Sequence, residues 1–261
     1  MKGIGFLMSI MVLWATAAES KIVTARVPYR DGNVALQGYL AYDDKIEGKR
    51  PGILVVHEWW GLNEYAQKRA EQLAELGYVA FALDMYGKEK VTTHPEQASE
   101  WAKQVSSNMG HWQQRAVAGL KVLQADPRVD PNRIAAIGYC FGGSTVQQLA
   151  YGGADIKGVV SFHGSLLTPT EQQARRTKAS ILICHGAADP LVEKGAIEEY
   201  LADMDKTGLD WQMVIFAGAK HSFTNPEADK AGMSAVGYNK LADQRSWQYM
   251  KDFFAEIFAL Q

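Results

Sequence analysis

Cysteine is scarce in this chain: its 261 residues include two, Cys140 and Cys184. A disulfide-stapled scaffold is thereby excluded, and the chain can form at most one bridge with itself. Proline is sparse as well, at 8 residues, and no Pro/Gly/Ser-rich stretch reads as a linker that would divide the chain. Charge of one sign is also missing. The 27 Lys and Arg against 29 Asp and Glu leave a formal net charge of -2, which gives no electrostatic footprint for nucleic acid or for an anionic membrane. Like-charge blocks, low-complexity tracts and repeats of about 20–50 residues are absent. No metal-ligand spacing or cofactor fingerprint stands out, so neither a metal nor a cofactor is expected. What remains is the composition of a soluble globular protein, 47% hydrophobic and 21% charged.

The first residues differ from the rest. Lys2 supplies a positive start, residues 4–14 are nearly all apolar, and residues 15–18 are small. That layout predicts a secretory signal peptide over residues 1–18, with residues 19–261 forming one domain. The apolar run is short against the roughly 20 residues of a membrane span, which disfavours an uncleaved anchor and stable membrane insertion after cleavage. The expected destination is the periplasm or the exterior. No Cys lies near the cleavage region, so attachment of lipid to a mature N-terminal Cys is excluded.

Along the chain, residues 22–28 and 34–42 read as two strands around the turn Asp31-Gly32-Asn33. Apolar runs at 52–57, 79–83, 134–138, 158–162, 181–185 and 211–216 read as further strands, most of them buried on both faces. Helical spacing recurs at 64–76, 94–106, 109–125, 144–151, 197–206 and 245–260. Strands alternating with helices predict an α/β fold with a mostly parallel sheet and helices on both faces. In such sheets ligands bind beyond the carboxyl ends of the strands, where this chain places its unusual polar residues.

The most informative stretch is Gly138-Tyr139-Cys140-Phe141-Gly142-Gly143, which ends one apolar run and opens a helical one. A Gly-x-nucleophile-x-Gly turn between strand and helix is the nucleophile-elbow pattern, here carrying a thiol. A thiol attacks as thiolate, which calls for an imidazole to take its proton and for an acid to orient that imidazole. Asp189 and His221 follow Cys140 in the chain order of such triads, each on a loop after a strand. Asp84 is the rival acid but precedes the nucleophile, and Asp189 before Pro190 has helix capping as its alternative role. His57, His163 and His185 also end strands, where hydrogen bonding to loop backbone is expected. The backbone N–H groups of Phe141 and Trp59 are the candidate oxyanion donors, and Trp59 and Trp60 are candidate pocket walls. Cys184 reads as a small buried thiol, since pairing it with Cys140 would consume the nucleophile.

These motifs together, with His57-Glu58-Trp59-Trp60-Gly61, His185-Gly186-Ala187-Ala188-Asp189 and His221-Ser222-Phe223, resemble the dienelactone hydrolase (carboxymethylenebutenolidase-like) family over most of the chain after residue 18. The resemblance implies an α/β-hydrolase fold and hydrolysis of a small-molecule ester or lactone through an acyl-cysteine. The family's triad falls on Cys140, Asp189 and His221. Its glutamate that contacts the resting thiol and helps activate it falls on Glu58. Tyr86, Trp60, Lys88 and Lys220 fall around the family's substrate, but arginines that hold a substrate carboxylate are replaced here by Lys88 and Lys220. Lysine keeps the charge and loses the bidentate fork, so the substrate itself does not carry over. A class I glutaminase, the alternative with a Cys elbow, places Glu two residues after its His, where Phe223 stands. A non-catalytic binding protein of the same fold would leave the three triad residues without a purpose.

Overall fold

The computed structural model describes residues 21–193 and 195–259; the expected signal segment lies outside them. Strands β1 (Ile22–Asp31) and β2 (Val34–Asp43) form an antiparallel hairpin, and β2 then pairs antiparallel with β4 (Val79–Leu83). From there every pairing is parallel, through β3 (Arg50–Val56), β5 (Val129–Tyr139), β6 (Gly158–Phe162), β7 (Ser180–Gly186) and β8 (Trp211–Phe216). The spatial order is β1-β2-β4-β3-β5-β6-β7-β8. This is the mostly parallel sheet expected from the sequence, in an α/β-hydrolase arrangement.

Alternation along the strands divides the core. Leu54, Val56, Phe81 and Leu83 point to one face, while Ile53, Val55, Ala80 and Ala82 point to the other. The first face is covered by α2 (Pro95–Ser106), α3 (Met109–Ala125), α4 (Phe141–Tyr151) and α6 (Ala196–Met204), and the second by α1 (Glu64–Glu75) and α7 (Lys240–Ala259). Helix α7 begins before residue 245, where the sequence placed its start, because Asn239 caps it, its side chain accepting from Ala242 N at 3.0 Å. A one-and-a-half-turn helix, α5 (Glu171–Arg176), and a short 3-10 turn at Ala228–Ala231 were not legible in the sequence, being too brief to show a period.

The order of strands fixes where a ligand can sit. The chain leaves β3, adds β4 on one side, and then returns to add β5 on the other side. Crossovers on either side of β3 and β5 diverge, opening a crevice beyond their carboxyl ends. The parallel register pairs Val56 with Gly138, so the residues that follow, Glu58-Trp59 on one strand and Cys140 on the other, emerge side by side.

Candidate active site

Cys140 sits between β5 and α4 with φ 54° and ψ -116°, a positive φ that a residue with a Cβ rarely adopts. Its N–H is held by Phe162 O at 3.0 Å and by His163 Nδ1 at 3.1 Å. The turn is so tight that a Cβ on Gly138 would lie 2.0 Å from Gly142 O, and one on Gly142 would lie 2.2 Å from Val56 O. Those two glycines are therefore required by close backbone approach. Phe141 is the first residue of α4, where a helix has unpaired N–H groups, and Trp59 lies on the adjoining loop after β3.

Asp189 and His221 meet across the loops after β7 and β8. His221 Nδ1 is 2.7 Å from Asp189 Oδ2, while Asp189 Oδ1 accepts from Leu191 N at 2.9 Å. Asp189 thus braces its own loop and orients the imidazole, and it caps no helix, since α6 starts at Ala196. His221 Nε2 is buried without a conventional hydrogen bond among the described residues. The group beside it is the Cys140 sulfur. Burial alone would lower the imidazole, but the negative charge on Cys140 and the bond to Asp189 outweigh it and raise His221 well above its ordinary range.

Glu58 is fully buried and faces the His221 loop. Ser222 Oγ donates to its Oε1 and Asn225 Nδ2 to its Oε2, both at 2.7 Å. Burial pushes the carboxyl up, and these two bonds pull against that rise. These bonds tie Glu58 to the loop carrying the base, and Glu58 and Cys140 line the same cleft. Asp84 is not available as an acid: its Oδ1 accepts from Tyr86 N and Gly87 N, and its Oδ2 from Gln37 N.

Of the strand-ending histidines, His57 and His163 hydrogen-bond to backbone as expected, whereas His185 Nδ1 is buried without a partner among the described residues. His57 accepts from Met85 N at Nε2, at 3.2 Å, which leaves Nδ1 to donate to Glu58 O. His163 belongs to a network that sequence reasoning undervalued. Because its Nδ1 accepts from Cys140 N, its Nε2 carries the proton and donates to Thr224 Oγ1 at 2.6 Å. Tyr65 OH lies 2.6 Å from the same oxygen, and Arg69 donates to Thr224 O at 2.7 Å and to Asp243 Oδ1 at 2.5 Å. Burial holds the His163 imidazole well below its usual range, so it stays neutral beside His221, with ring centroids 5.4 Å apart. A buried Arg at position 69 of an amphipathic helix was the available signal, but its partner Thr224 lies 155 residues away in sequence.

Residues 36–258 match the profile of the dienelactone hydrolase family. The chain belongs to this family. Among solved structures, this dienelactone hydrolase family member superposes on a dienelactone hydrolase-like promiscuous phosphotriesterase from metagenomic libraries with a TM-score of 0.87. The two are 38% identical, with 90% of this chain and 98% of that one covered. Dienelactone hydrolase from Anabaena variabilis shares the fold, at TM-score 0.60 and 19% identity over 88% of this chain and 98% of its own. The protein usf of Aquifex pyrophilus is 26% identical over 88% of this chain and 97% of its own length.

In this family member, two lobes of one cleft meet at Cys140 and His221. One, of about 490 Å³, runs past Trp112 and Ser144. The other, of about 720 Å³, runs past Glu58, Trp60 and Met233, and Trp59 lines both. The remaining residues placed at the substrate by resemblance line neither lobe. Lys88 is exposed, paired with Glu89 at 3.6 Å, and lines a separate surface depression with Arg26 and Gln37. Lys220 Nζ donates to Ser234 O at 3.0 Å. Tyr86 is buried among His57, Trp101 and Phe141, and its hydroxyl is raised by burial first and then by the charge on Cys140. Cys140 and Cys184 are both free thiols, and burial pushes Cys184 far up, as befits a small core residue.

Proposed function

We propose that this hydrolase-family protein cleaves a small-molecule ester or lactone through an acyl-cysteine on Cys140. The observation that carries the reading is the buried Asp189–His221 contact at 2.7 Å aimed at a cysteine held in a positive-φ elbow. In the first half-reaction the Cys140 thiolate attacks the carbonyl carbon, and the oxyanion is met by the N–H groups of Phe141 and Trp59. The imidazolium of His221 then gives its proton to the departing alkoxide, leaving a thioester. In the second half, His221 takes a proton from water as that water attacks the thioester. The tetrahedral species collapses, releases the carboxylic acid and restores the Cys140–His221 pair. Asp189 orients His221 throughout, and Glu58 holds the His221 loop through Ser222 and Asn225.

Hydrolysis of 4-nitrophenyl acetate by the wild type and by Cys140→Ala tests this. We expect the variant to lose more than about a thousandfold in kcat/KM, and rapid quench of the wild type to give a chain heavier by one acetyl group on Cys140. Equal rates for the two proteins would sink the reading. The N-terminal segment supports export as a second element of the proposal, with a mature chain starting near Glu19; sequencing the N-terminus of the periplasmic or secreted protein checks it. Among the described residues no helix is long and apolar enough to cross a membrane.

A further inference from the structure

Both lobes of the cleft are short of positive charge. Glu58 and Glu227 line the larger lobe, and Asp189 and Glu193 line the smaller. Among the described residues the lobes are lined by Lys230, which is already ion-paired with Glu227, and by His221, which is already paired with Asp189. Lys88 and Lys220, the positions that resemblance assigned to a substrate carboxylate, are turned to Glu89 and to Ser234 O and line neither lobe. The walls are apolar instead. Trp59 and Trp60 pack together at 4.8 Å between centroids, with Met233 and Val236 across the larger lobe. At its mouth Val91 and Leu191 stay 48% and 59% exposed. Apolar side chains left in water at the rim of a cleft mark a place where an apolar ligand is taken up.

Resting on the cysteine-hydrolase reading above, we infer that the substrate is an uncharged ester or lactone carrying a sizeable apolar group, and that a free carboxylate near the scissile bond is rejected. A carboxylate entering either lobe would shed its water without gaining a cation that lacks an acidic partner already. It would also stand near Glu58, Asp189 and the Cys140 thiolate, and like charges repel most where water is excluded. An alkyl or aryl group gains from the same surroundings, through burial against the two tryptophans and Met233.

The test compares 4-nitrophenyl hexanoate with the mono-4-nitrophenyl ester of adipic acid. The two share the leaving group and the acyl chain length and differ in one terminal carboxylate. The expected kcat/KM for the hexanoate is about 30-fold higher or more, since unmatched like charge in a desolvated site is costly. Met233→Lys, which adds a cation to the larger lobe, should narrow that ratio to below about fivefold. An adipate ester turned over as fast as the hexanoate, with Cys140→Ala inactive on both, would overturn this inference and leave the cysteine chemistry standing. Activity of Cys140→Ala on both esters would remove the cysteine reading instead. Calorimetric binding of hexanoic 4-nitroanilide and adipic mono-4-nitroanilide to Cys140→Ala makes the same comparison without turnover. Tighter binding of the neutral anilide supports the inference, and equal or weaker binding contradicts it.

Discussion

At the scale of single residues, His221 is governed by opposing forces. Burial disfavours its charge, yet the Cys140 thiolate and Asp189 hold it well above the ordinary imidazole range. Removing one of the raising causes must lower it. In Asp189→Asn the amide oxygen can still accept from Nδ1, but the negative charge is gone. The alkaline limb of kcat/KM against pH, where His221 loses its proton, is expected to move down by about one unit, with kcat falling by about a hundredfold or more. A rate profile with the wild-type alkaline limb would show that Asp189 does not act through its charge. Glu58 illustrates a different dependence, because its two hydrogen bonds to Ser222 and Asn225 tie it to the loop of the base. The identity of each triad member was readable from spacing and chain order. The direction in which Glu58 points was not, because it depends on partners 164 and 167 residues away.

At the scale of elements, the elbow works because β5 and α4 touch. A methyl group on Gly142 would meet Val56 O at 2.2 Å and His57 O at 2.7 Å, the backbone that leads directly to Glu58 and Trp59. Gly142→Ala should therefore separate the nucleophile from the loop of the second oxyanion donor. An expected fall in kcat of about a hundredfold follows from a displacement of an ångström or so at the reacting atoms. Steady-state kinetics with circular dichroism on the variant would check this, and activity within twofold of wild type would contradict it. Helix α4 also explains a difficulty in the sequence. All its residues from Phe141 to Tyr151 are buried, polar ones included, so it shows little amphipathic period. Gln147 is accommodated there because its amide donates to Gly143 O, Ser161 Oγ and Ser165 O and accepts from Leu167 N. A helix buried on every side announces itself by its cap and its glycines, and the elbow motif supplied both.

At the scale of the whole molecule, the interior holds His57, His163 and His185 neutral, each lowered first by burial. Their unfolded forms titrate near pH 6.5, and the folded forms lower. The unfolded chain therefore takes up protons first, so this contribution to stability is complete above about pH 6.5 and is lost as pH falls through the folded values. His221 has the opposite sign, its contribution being complete below about pH 6.5 and lost as pH rises through its raised folded value. Urea midpoints should fall from pH 6.5 to pH 5.5, whereas between pH 7.5 and 6.5 the His221 contribution opposes that of the three buried histidines. His163→Gln should flatten the fall by up to one proton, about 1.4 kcal/mol per pH unit. An unchanged slope in the variant would mean that His163 is protonated in the folded chain.

The sequence by itself determined the alternation of strands and helices, the cysteine elbow with its glycines, and the acid and base that follow it. Each of these is a local pattern: a period, a turn that excludes Cβ atoms, an order along the chain. Only the tertiary structure decided that Lys88 and Lys220 line neither lobe of the cleft, that Glu58 grips Ser222 and Asn225, and that Cys140 N rests on His163. It also decided that Arg69 and Asp243 stand behind the His221 loop. These are contacts between side chains far apart in the chain, and their geometry exists only once β3 and β5 lie side by side and α1 and α7 close the opposite face.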